Sequence, residues 1–271
     1  MLAANGLRFH VRDEGTGTPV ILLHGFPDTS DLWRHQVPAL VQCGFRAIAP
    51  DLRGRGRSDK PEGVSAYRLS TIVQDVTGML DALGIDRAHV VGHDWGAAVA
   101  WLCAMLAPER VDRLVAISVG APGTGAKPTY EDLQKGWYRL VFLFEGISEE
   151  LIQRDDWYLF RLFLQGARDT DAYVRTLSEP GALTPALNWY RANLPVRNLL
   201  GRSEGPRLPK ARARTLGIWS TGDLYLTEDA MLRSAERVEG DWRYERLEGS
   251  HWIPIDQPDR LNALLLDFLR G

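Results

Sequence analysis

The stretch VVGHDWGAA, residues 90–98, places one carboxylate, Asp94, between an apolar segment and a run of small residues. Glycines stand two positions before it, at Gly92, and two positions after it, at Gly96. This spacing predicts a sharp turn from a strand into a helix, because small flanking residues let the chain fold tightly and expose the central side chain. Asp94 is therefore a candidate nucleophile. Asp is also a favoured helix N-cap, and the motif alone leaves both interpretations open.

Apolar runs on either side of this turn indicate a sheet that is covered on both faces. One run ends at His24, another at Asp51 and a later one at Gly120. Between the second run and the turn, apolar residues from Ile72 to Leu83 recur at helical spacing. Continuous apolar strands that alternate with helices predict an α/β fold with a mostly parallel sheet flanked by helices.

The alternation of strands and helices stops near Ala121 and resumes with an apolar run at residues 215–220. The intervening segment is rich in aromatic residues at helical spacing and has no strand-like run between turns. It predicts an inserted helical cap, or lid, at residues 123–209, and a core built from residues 1–122 and 210–271.

A nucleophile on such a turn needs a general base and an acid that orients the base. Of the six histidines, His251 alone follows Asp94 in the order that this arrangement requires, and it comes just after a predicted strand. Asp223 follows the run at residues 215–220 and is the expected orienting acid. Glu228 and Asp229 are weaker alternatives, because both are typical of the first turn of a helix.

An enzyme of this kind also needs a backbone N–H group that faces the nucleophile. The segment HGFP, residues 24–27, follows an early strand and is suitably placed. Its N–H group is expected to belong to Phe26, although the segment alone is also compatible with an ordinary turn.

Composition and charge exclude several classes of function. The 271 residues are 45% hydrophobic and 25% charged, which is typical of a globular protein. With 32 basic and 35 acidic residues the net charge is −3, so neither nucleic acid nor an anionic membrane is an expected partner. Cys43 and Cys103 have no spacing that suits a disulfide framework or a zinc site.

Nothing in the sequence predicts a membrane or secretory segment. Polar residues interrupt the N-terminus, and the longest apolar run, residues 97–107, is shorter than the roughly 18 residues that span a bilayer. We therefore expect a soluble, cytoplasmic protein, either a monomer or a homodimer.

Taken together, these segments resemble the α/β-hydrolase superfamily over essentially the whole chain. Within it they are similar to the branch with an aspartate nucleophile, which contains epoxide hydrolases and haloalkane dehalogenases. The resemblance rests on HGFPD (24–28), DLRGRGRS (51–58) and GHDWG (92–96). Phe26 favours epoxide hydrolases, because dehalogenases typically have a halide-binding Asn there. Fluoroacetate dehalogenases have arginines beside the nucleophile, where this chain has Trp95, Ala97 and Ala98.

The resemblance also assigns two tyrosines of the cap. LNWY, residues 187–190, looks like the epoxide hydrolase segment that carries one ring-opening tyrosine, here Tyr190. Trp137-Tyr138, followed by EGI at residues 145–147, looks like the segment that carries the other, here Tyr138. Family members often have Tyr-Phe-Gln where this chain has VFL, residues 141–143, so Tyr158 is kept as an alternative to Tyr138.

The resemblance implies hydrolysis of a small apolar epoxide to a vicinal diol, with no metal or organic cofactor. An alkyl ester would form on the nucleophile, and water activated by the histidine–acid pair would hydrolyse it. The implied site comprises the catalytic residues Asp94, Asp223, His251, Tyr138 and Tyr190, and the oxyanion-hole amides of Phe26 and Trp95. Two alternatives stay open: a haloalkane dehalogenase with the same nucleophile, and a non-catalytic ligand-binding protein on the same scaffold.

Overall fold

A computed structural model describes residues 1–124, 127–194 and 208–271. The strands are β1 (Leu2–Ala4), β2 (Leu7–Phe9), β3 (Val11–Glu14), β4 (Thr18–Leu23), β5 (Phe45–Pro50), β6 (Ala88–His93), β7 (Val111–Ile117), β8 (Arg214–Gly222) and β9 (Trp242–Ser250). β1 and β2 form a small antiparallel pair. The other seven strands form one sheet in the order β3-β5-β4-β6-β7-β8-β9.

The central sheet is mostly parallel. Only β3 runs antiparallel to its neighbour, and each of the other five neighbouring pairs is parallel. All six residues of β6 are buried, as are the last four residues of β4. This burial on both faces explains why these strands read as continuous apolar runs. The predicted α/β fold is confirmed.

Six helices belong to the parts of the chain that form the sheet. They are α1 (Gln36–Gln42), α2 (Leu69–Ala82), α3 (Trp95–Leu106), α9 (Glu228–Leu232), α10 (Ile253–Asp256) and α11 (Pro258–Arg270). α2 buries the stripe that begins at Ile72, as its spacing predicts. α3 is buried along nearly its whole length, and none of the described helices is long and apolar enough to cross a membrane.

The chain between β7 and β8 is helical. Within the described residues it has no strand and contains α4 (Tyr130–Lys135), α5 (Trp137–Phe142), α6 (Ile147–Phe163), α7 (Thr170–Ser178) and α8 (Leu183–Asn193). α6 is interrupted at residues 154–157, where three residues have left-handed φ angles. We call α4–α8 the cap. Residues 125–126 and 195–207 of the predicted cap lie outside the described residues, and its boundaries stay a prediction.

The ends of four parallel strands bring distant parts of the chain to one edge of the sheet. His24 follows β4, Asp94 follows β6, Asp223 follows β8 and His251 follows β9. Because these strands are parallel, their carboxyl ends lie at the same edge, where α/β proteins commonly hold their ligands. Side chains of the cap contact this edge: Trp189 Nε1 donates to the Arg53 carbonyl at 3.1 Å.

Candidate active site

Asp94 occupies a strained turn between β6 and α3. Its φ is 52° and its ψ is −123°, a conformation that L-residues rarely adopt. A Cβ atom at position 92 would collide with the carbonyl of Gly96, and one at position 96 would collide with the carbonyl of Leu23. Both glycines are therefore required sterically. The Asp94 side chain makes no capping hydrogen bond to α3, so its carboxylate is available for other contacts.

One oxygen of the Asp94 carboxylate accepts a backbone hydrogen bond from the loop after β4. The Phe26 N–H donates to Asp94 Oδ1 at 2.8 Å. Gly25 permits this approach, because a Cβ there would collide with the Asp94 side chain. The Trp95 N–H is at the first position of α3, where a helix provides no partner for it. These are the two amides that the sequence predicts for an oxyanion hole.

The structure brings His251 and Asp223 together beside Asp94. His251 Nδ1 donates to Asp223 Oδ2 at 2.8 Å, and His251 Nε2 lies 3.8 Å from Asp94 Oδ2. Asp223 Oδ1 accepts from the N–H groups of Tyr225 and Leu226 at 2.8 and 3.0 Å. All three side chains are buried. Because Asp223 holds the proton on Nδ1, Nε2 is free to accept one.

Each member of this pair favours the charged form of the other. Burial by itself would lower the pKa of His251, but the negative charge and hydrogen bond of Asp223 raise it above its usual range. Burial would likewise raise the pKa of Asp223, whereas the charge and hydrogen bond of His251 and two backbone amides lower it. Asp223 therefore stays ionised and stabilises an imidazolium.

The two weaker candidates for the orienting acid are engaged elsewhere. Glu228 Oε1 accepts from the Tyr244 hydroxyl at 2.7 Å, and Asp229 forms an ion pair with Arg233 within one helical turn. Neither contacts His251. Their positions in the first turn of α9 explain why the sequence shows acidic residues there.

Two cap tyrosines form part of the roof over this site. Tyr138 of α5 and Tyr190 of α8 are 4% and 3% exposed, and their ring centroids are 6.0 Å apart. The Tyr190 ring lies edge-on to Phe26 at 5.5 Å and to Trp95 at 5.1 Å, the two residues with the candidate oxyanion amides. Burial raises the pKa of both phenols, and that of Tyr190 lies well above 10. Both phenols therefore keep their protons at neutral pH.

Tyr158, the alternative to Tyr138, does not belong to this site. It lies on α6 and is 66% exposed. The interruption of α6 turns its neighbour Trp157 inward, where the ring packs against Phe160 at 5.6 Å. The alternative was wrong because the spacing of aromatic residues does not reveal a break in helical geometry.

The site contains two residues that sequence reasoning missed. The Tyr225 ring lies 5.0 Å from the His251 ring and 5.7 Å from the Tyr138 ring, and no motif indicates it. Buried Asp28 accepts from the Tyr173 hydroxyl of the cap at 2.6 Å and from Trp252 Nε1 at 3.3 Å. Burial raises the pKa of Asp28 to about 7. Its place in the segment HGFPD is the one signal that could have indicated it.

A carboxylate on a strand-to-helix turn, with a histidine–acid pair at neighbouring strand ends, defines a hydrolase of α/β fold. A family model described as alpha/beta hydrolase fold matches residues 18–258. The AB hydrolase superfamily protein YfhM of Bacillus subtilis is 33% identical, and the match covers 98% of this chain and 96% of that protein. Epoxide hydrolase A of Mycobacterium tuberculosis is 32% identical, and the match covers 100% of this chain and 97% of that protein. The crystal structure of Epoxide Hydrolase A from Mycobacterium thermoresistibile has a TM-score of 0.86 at 30% identity and covers 100% of this chain and 97% of that one.

The chain belongs to the α/β-hydrolase fold family, in its epoxide hydrolase branch. The family resemblance expected from the three sequence segments is therefore confirmed.

Proposed function

We propose that the protein hydrolyses an epoxide to a vicinal diol through an alkyl ester on Asp94. The observation that carries the proposal is the enclosure of one carboxylate between a histidine–acid pair and two protonated phenols. The carboxylate and the pair supply a nucleophile and a base, and the phenols supply an acid. Similarity to proteins named epoxide hydrolases supports the same assignment.

In the first step, Asp94 Oδ2 attacks one ring carbon of the epoxide. The Phe26 amide holds Oδ1, which leaves Oδ2 on the side of His251. A carbon–oxygen bond forms to Asp94 and the ring carbon–oxygen bond breaks. The departing oxygen would be an alkoxide, so it takes a proton from Tyr138 or Tyr190. The high pKa values of both phenols ensure that this proton is present.

In the second step, water hydrolyses the ester. His251 Nε2 takes a proton from a water molecule, whose oxygen attacks the carboxyl carbon of Asp94. The Phe26 and Trp95 amides stabilise the negative charge on the tetrahedral intermediate, a contribution of about 3 kcal/mol for such donors. The intermediate collapses by breaking the bond between the carboxyl carbon and the alkoxy oxygen, which takes the proton of the added hydroxyl, so that the diol leaves and Asp94 is regenerated as a carboxylate. The proton on His251 returns to the phenolate through the site.

The walls of the site favour a small apolar substrate. The Phe26 ring has T-shaped contacts with Phe142 at 5.5 Å and Phe160 at 5.9 Å, and Phe163 lies 6.3 Å away. These rings place hydrocarbon next to the nucleophile. The reaction needs water as its second substrate and no metal or organic cofactor.

A single turnover in ¹⁸O-labelled water, with enzyme in excess over epoxide, tests the proposal. The label should enter the Asp94 carboxylate, detected by mass spectrometry of the peptide that contains it, and the diol should be unlabelled. Label that appears directly in the diol would falsify ester formation. Asp94→Ala is the control and should give neither diol nor label.

Rate measurements with a bromoalkane beside the epoxide, together with the labelling assay, separate the two alternatives. A haloalkane dehalogenase would release bromide from a bromoalkane faster than it opens an epoxide, because bromide leaves without a proton. A ligand-binding protein would turn over neither compound, and its Asp94 peptide would stay unlabelled.

A further inference from the structure

Arg55 is a buried cation beside the candidate active site, and the reaction proposed above does not use it. It lies in the loop after β5, in the segment DLRGRGRS, and is 3% exposed. Its Nη2 group lies 3.5 Å from the Ala186 carbonyl oxygen of α8. Among the described residues, its Nε and Nη1 groups have no hydrogen-bond partner, and no carboxylate oxygen lies within 4.0 Å of its nitrogen atoms.

Arg53, two residues earlier in the same loop, differs from Arg55 in its partners. It is also buried, but Asp75 accepts from its Nε and Nη2 groups at 2.7 and 2.6 Å. A buried guanidinium without such a partner is costly, because burial removes its hydration and no opposite charge replaces it. An unpaired charge that is kept at this cost indicates a functional role for Arg55.

Two aromatic rings surround the Arg55 guanidinium. Its carbon atom lies 4.9 Å from the centroid of the Phe26 ring and 5.7 Å from that of the Trp189 ring. The faces of aromatic rings attract cations, which offsets part of the cost of burial. Burial lowers the pKa of Arg55 to about 10, so the side chain remains a cation at neutral pH. The charge therefore lies next to the residue whose amide holds Asp94.

The same contacts place the charge near Tyr190. The Phe26 ring lies edge-on to the Tyr190 ring at 5.5 Å, and the Ala186 carbonyl belongs to the turn of α8 that precedes Tyr190. Of the groups whose negative charge favours the Arg55 cation, Tyr190 contributes most and Asp94 comes second. Arg55 therefore stabilises negative charge on the Tyr190 oxygen more than negative charge on Asp94.

We propose that Arg55 is a positioning residue for ring opening, whose charge stabilises the phenolate that Tyr190 becomes when it protonates the epoxide oxygen. The inference rests on the proposed function, because it concerns the acid of the same reaction. As the bond from Asp94 to carbon forms and the ring carbon–oxygen bond breaks, the phenol proton passes to the departing oxygen. One negative charge thus leaves Asp94 and arises on Tyr190, while Arg55 keeps its proton. Because the charge moves toward Arg55, the transition state gains more from the arginine than the ground state does.

A double-mutant cycle tests the inference. The measured quantity is the single-turnover rate of adduct formation with styrene oxide on the His251→Gln background, followed by intact-protein mass spectrometry. Arg55→Met should slow adduct formation by about tenfold to a hundredfold, the usual range for an interaction with a charged group. When Tyr190→Phe is also present, Arg55→Met should change the rate by less than about threefold, because no phenolate forms at that position.

Two further variants and a stability measurement separate the charge from the structure. Arg55→Lys keeps a cation and should restore at least part of the rate. Arg57→Met is the matched control, because Arg57 lies two residues further along the same loop and is exposed, so the rate should be unchanged. The urea midpoint of Arg55→Met should equal or exceed that of the wild type, because the variant no longer buries an unpaired charge.

Several outcomes would overturn the inference and leave the proposed function intact. One is an equal loss from Arg55→Met with and without Tyr190→Phe, because Arg55 would then act through the shape of the pocket. Another is a lower urea midpoint together with a rate that Arg55→Lys does not restore. If Arg55→Met does not fold, Arg55→Gln, which can still donate to Ala186, replaces it in the cycle, and failure of both to fold would also overturn the inference. A wild type that opens no epoxide would overturn the proposed function and the inference together.

Discussion

We call Asp94, Asp223 and His251, which follow strands of the sheet, the floor of the candidate active site, and Tyr138 and Tyr190 of the cap its roof. The floor and the roof hold their functional groups by different means. In the floor, the backbone fixes Asp94, with a φ of 52° and glycines that no larger residue can replace. Asp223 is held by two backbone amides, and His251 follows directly from the end of β9. The floor is therefore rigid to the extent that the sheet is rigid.

The roof is held by side-chain packing. Tyr138 and Tyr190 each lie edge-on to Phe142, at 5.5 and 5.0 Å, and both lie on helices of the cap, α5 and α8. Aromatic packing tolerates removal of a hydroxyl, because the ring and its contacts are retained. This difference predicts that substitutions in the floor should abolish turnover, whereas substitutions in the roof should slow one step of the reaction.

The largest expected effect is at the floor. His251→Gln should lower kcat by about 10⁴-fold or more, because ester hydrolysis needs a general base and the first attack does not. Intact-protein mass spectrometry after addition of epoxide should show an adduct of substrate mass. If His251→Gln and Asp94→Ala are both inactive and neither carries an adduct, His251 is not the base.

The roof should give a smaller loss that depends on the leaving group. Tyr190→Phe should slow epoxide opening by up to ~10²–10⁴-fold, and less if Tyr138 substitutes for it. With Tyr138→Phe added, epoxide turnover should nearly cease while any slow reaction with a bromoalkane persists. The measurement is the rate of adduct formation with both substrates on the His251→Gln background. Equal losses with both would mean that the phenols shape the pocket and donate no proton.

A hydrogen bond joins Tyr173 of the cap to Asp28 of the core, and its loss should lower the stability of the fold. Tyr173→Phe removes the 2.6 Å bond to buried Asp28, which should lower the free energy of unfolding by about 1–3 kcal/mol. Urea unfolding measures the change. Tyr158→Phe is the matched control: that side chain is exposed, so its effect should stay within about 0.5 kcal/mol. Equal effects of the two variants would contradict a role for the bond.

The smallest expected effect is a pH dependence at the same junction. Burial raises the pKa of Asp28 from 3.8 to about 7 in the folded protein. The stability from this shift is therefore complete below pH about 4 and lost as the pH rises through about 7. Between pH 6 and 7 the loss should be about 1 kcal/mol for the wild type relative to Asp28→Asn. Parallel stability curves for the two proteins would show that Asp28 does not titrate in this range.

The sequence predicts the floor better than the roof, because the backbone holds the floor and side-chain packing holds the roof. Asp94 and Asp223 each follow an apolar strand, and His251 follows the polar edge strand β9. Because parallel strands bring their carboxyl ends to one edge, the order of the strands along the chain suffices to bring these residues together. Element lengths were less predictable. Glu228 and Asp229 indicate the first turn of a helix, but nothing in the pattern shows that α9 ends at Leu232 and that a 3₁₀ turn follows at Arg233–Arg237.

The sequence by itself determined the α/β class, the family and the turn that carries Asp94. Hydrophobic periodicity, the spacing of glycines and the residues that follow each strand are all local properties of the chain. Only the tertiary structure decided that Tyr138 faces the site and Tyr158 faces solvent. It alone showed Tyr225 against His251, and Asp28 bonded to a cap tyrosine 145 residues away. These contacts depend on how helices of the cap pack on the sheet. That packing is set by the shapes of many side chains together, and a stripe of aromatic residues at helical spacing does not specify it.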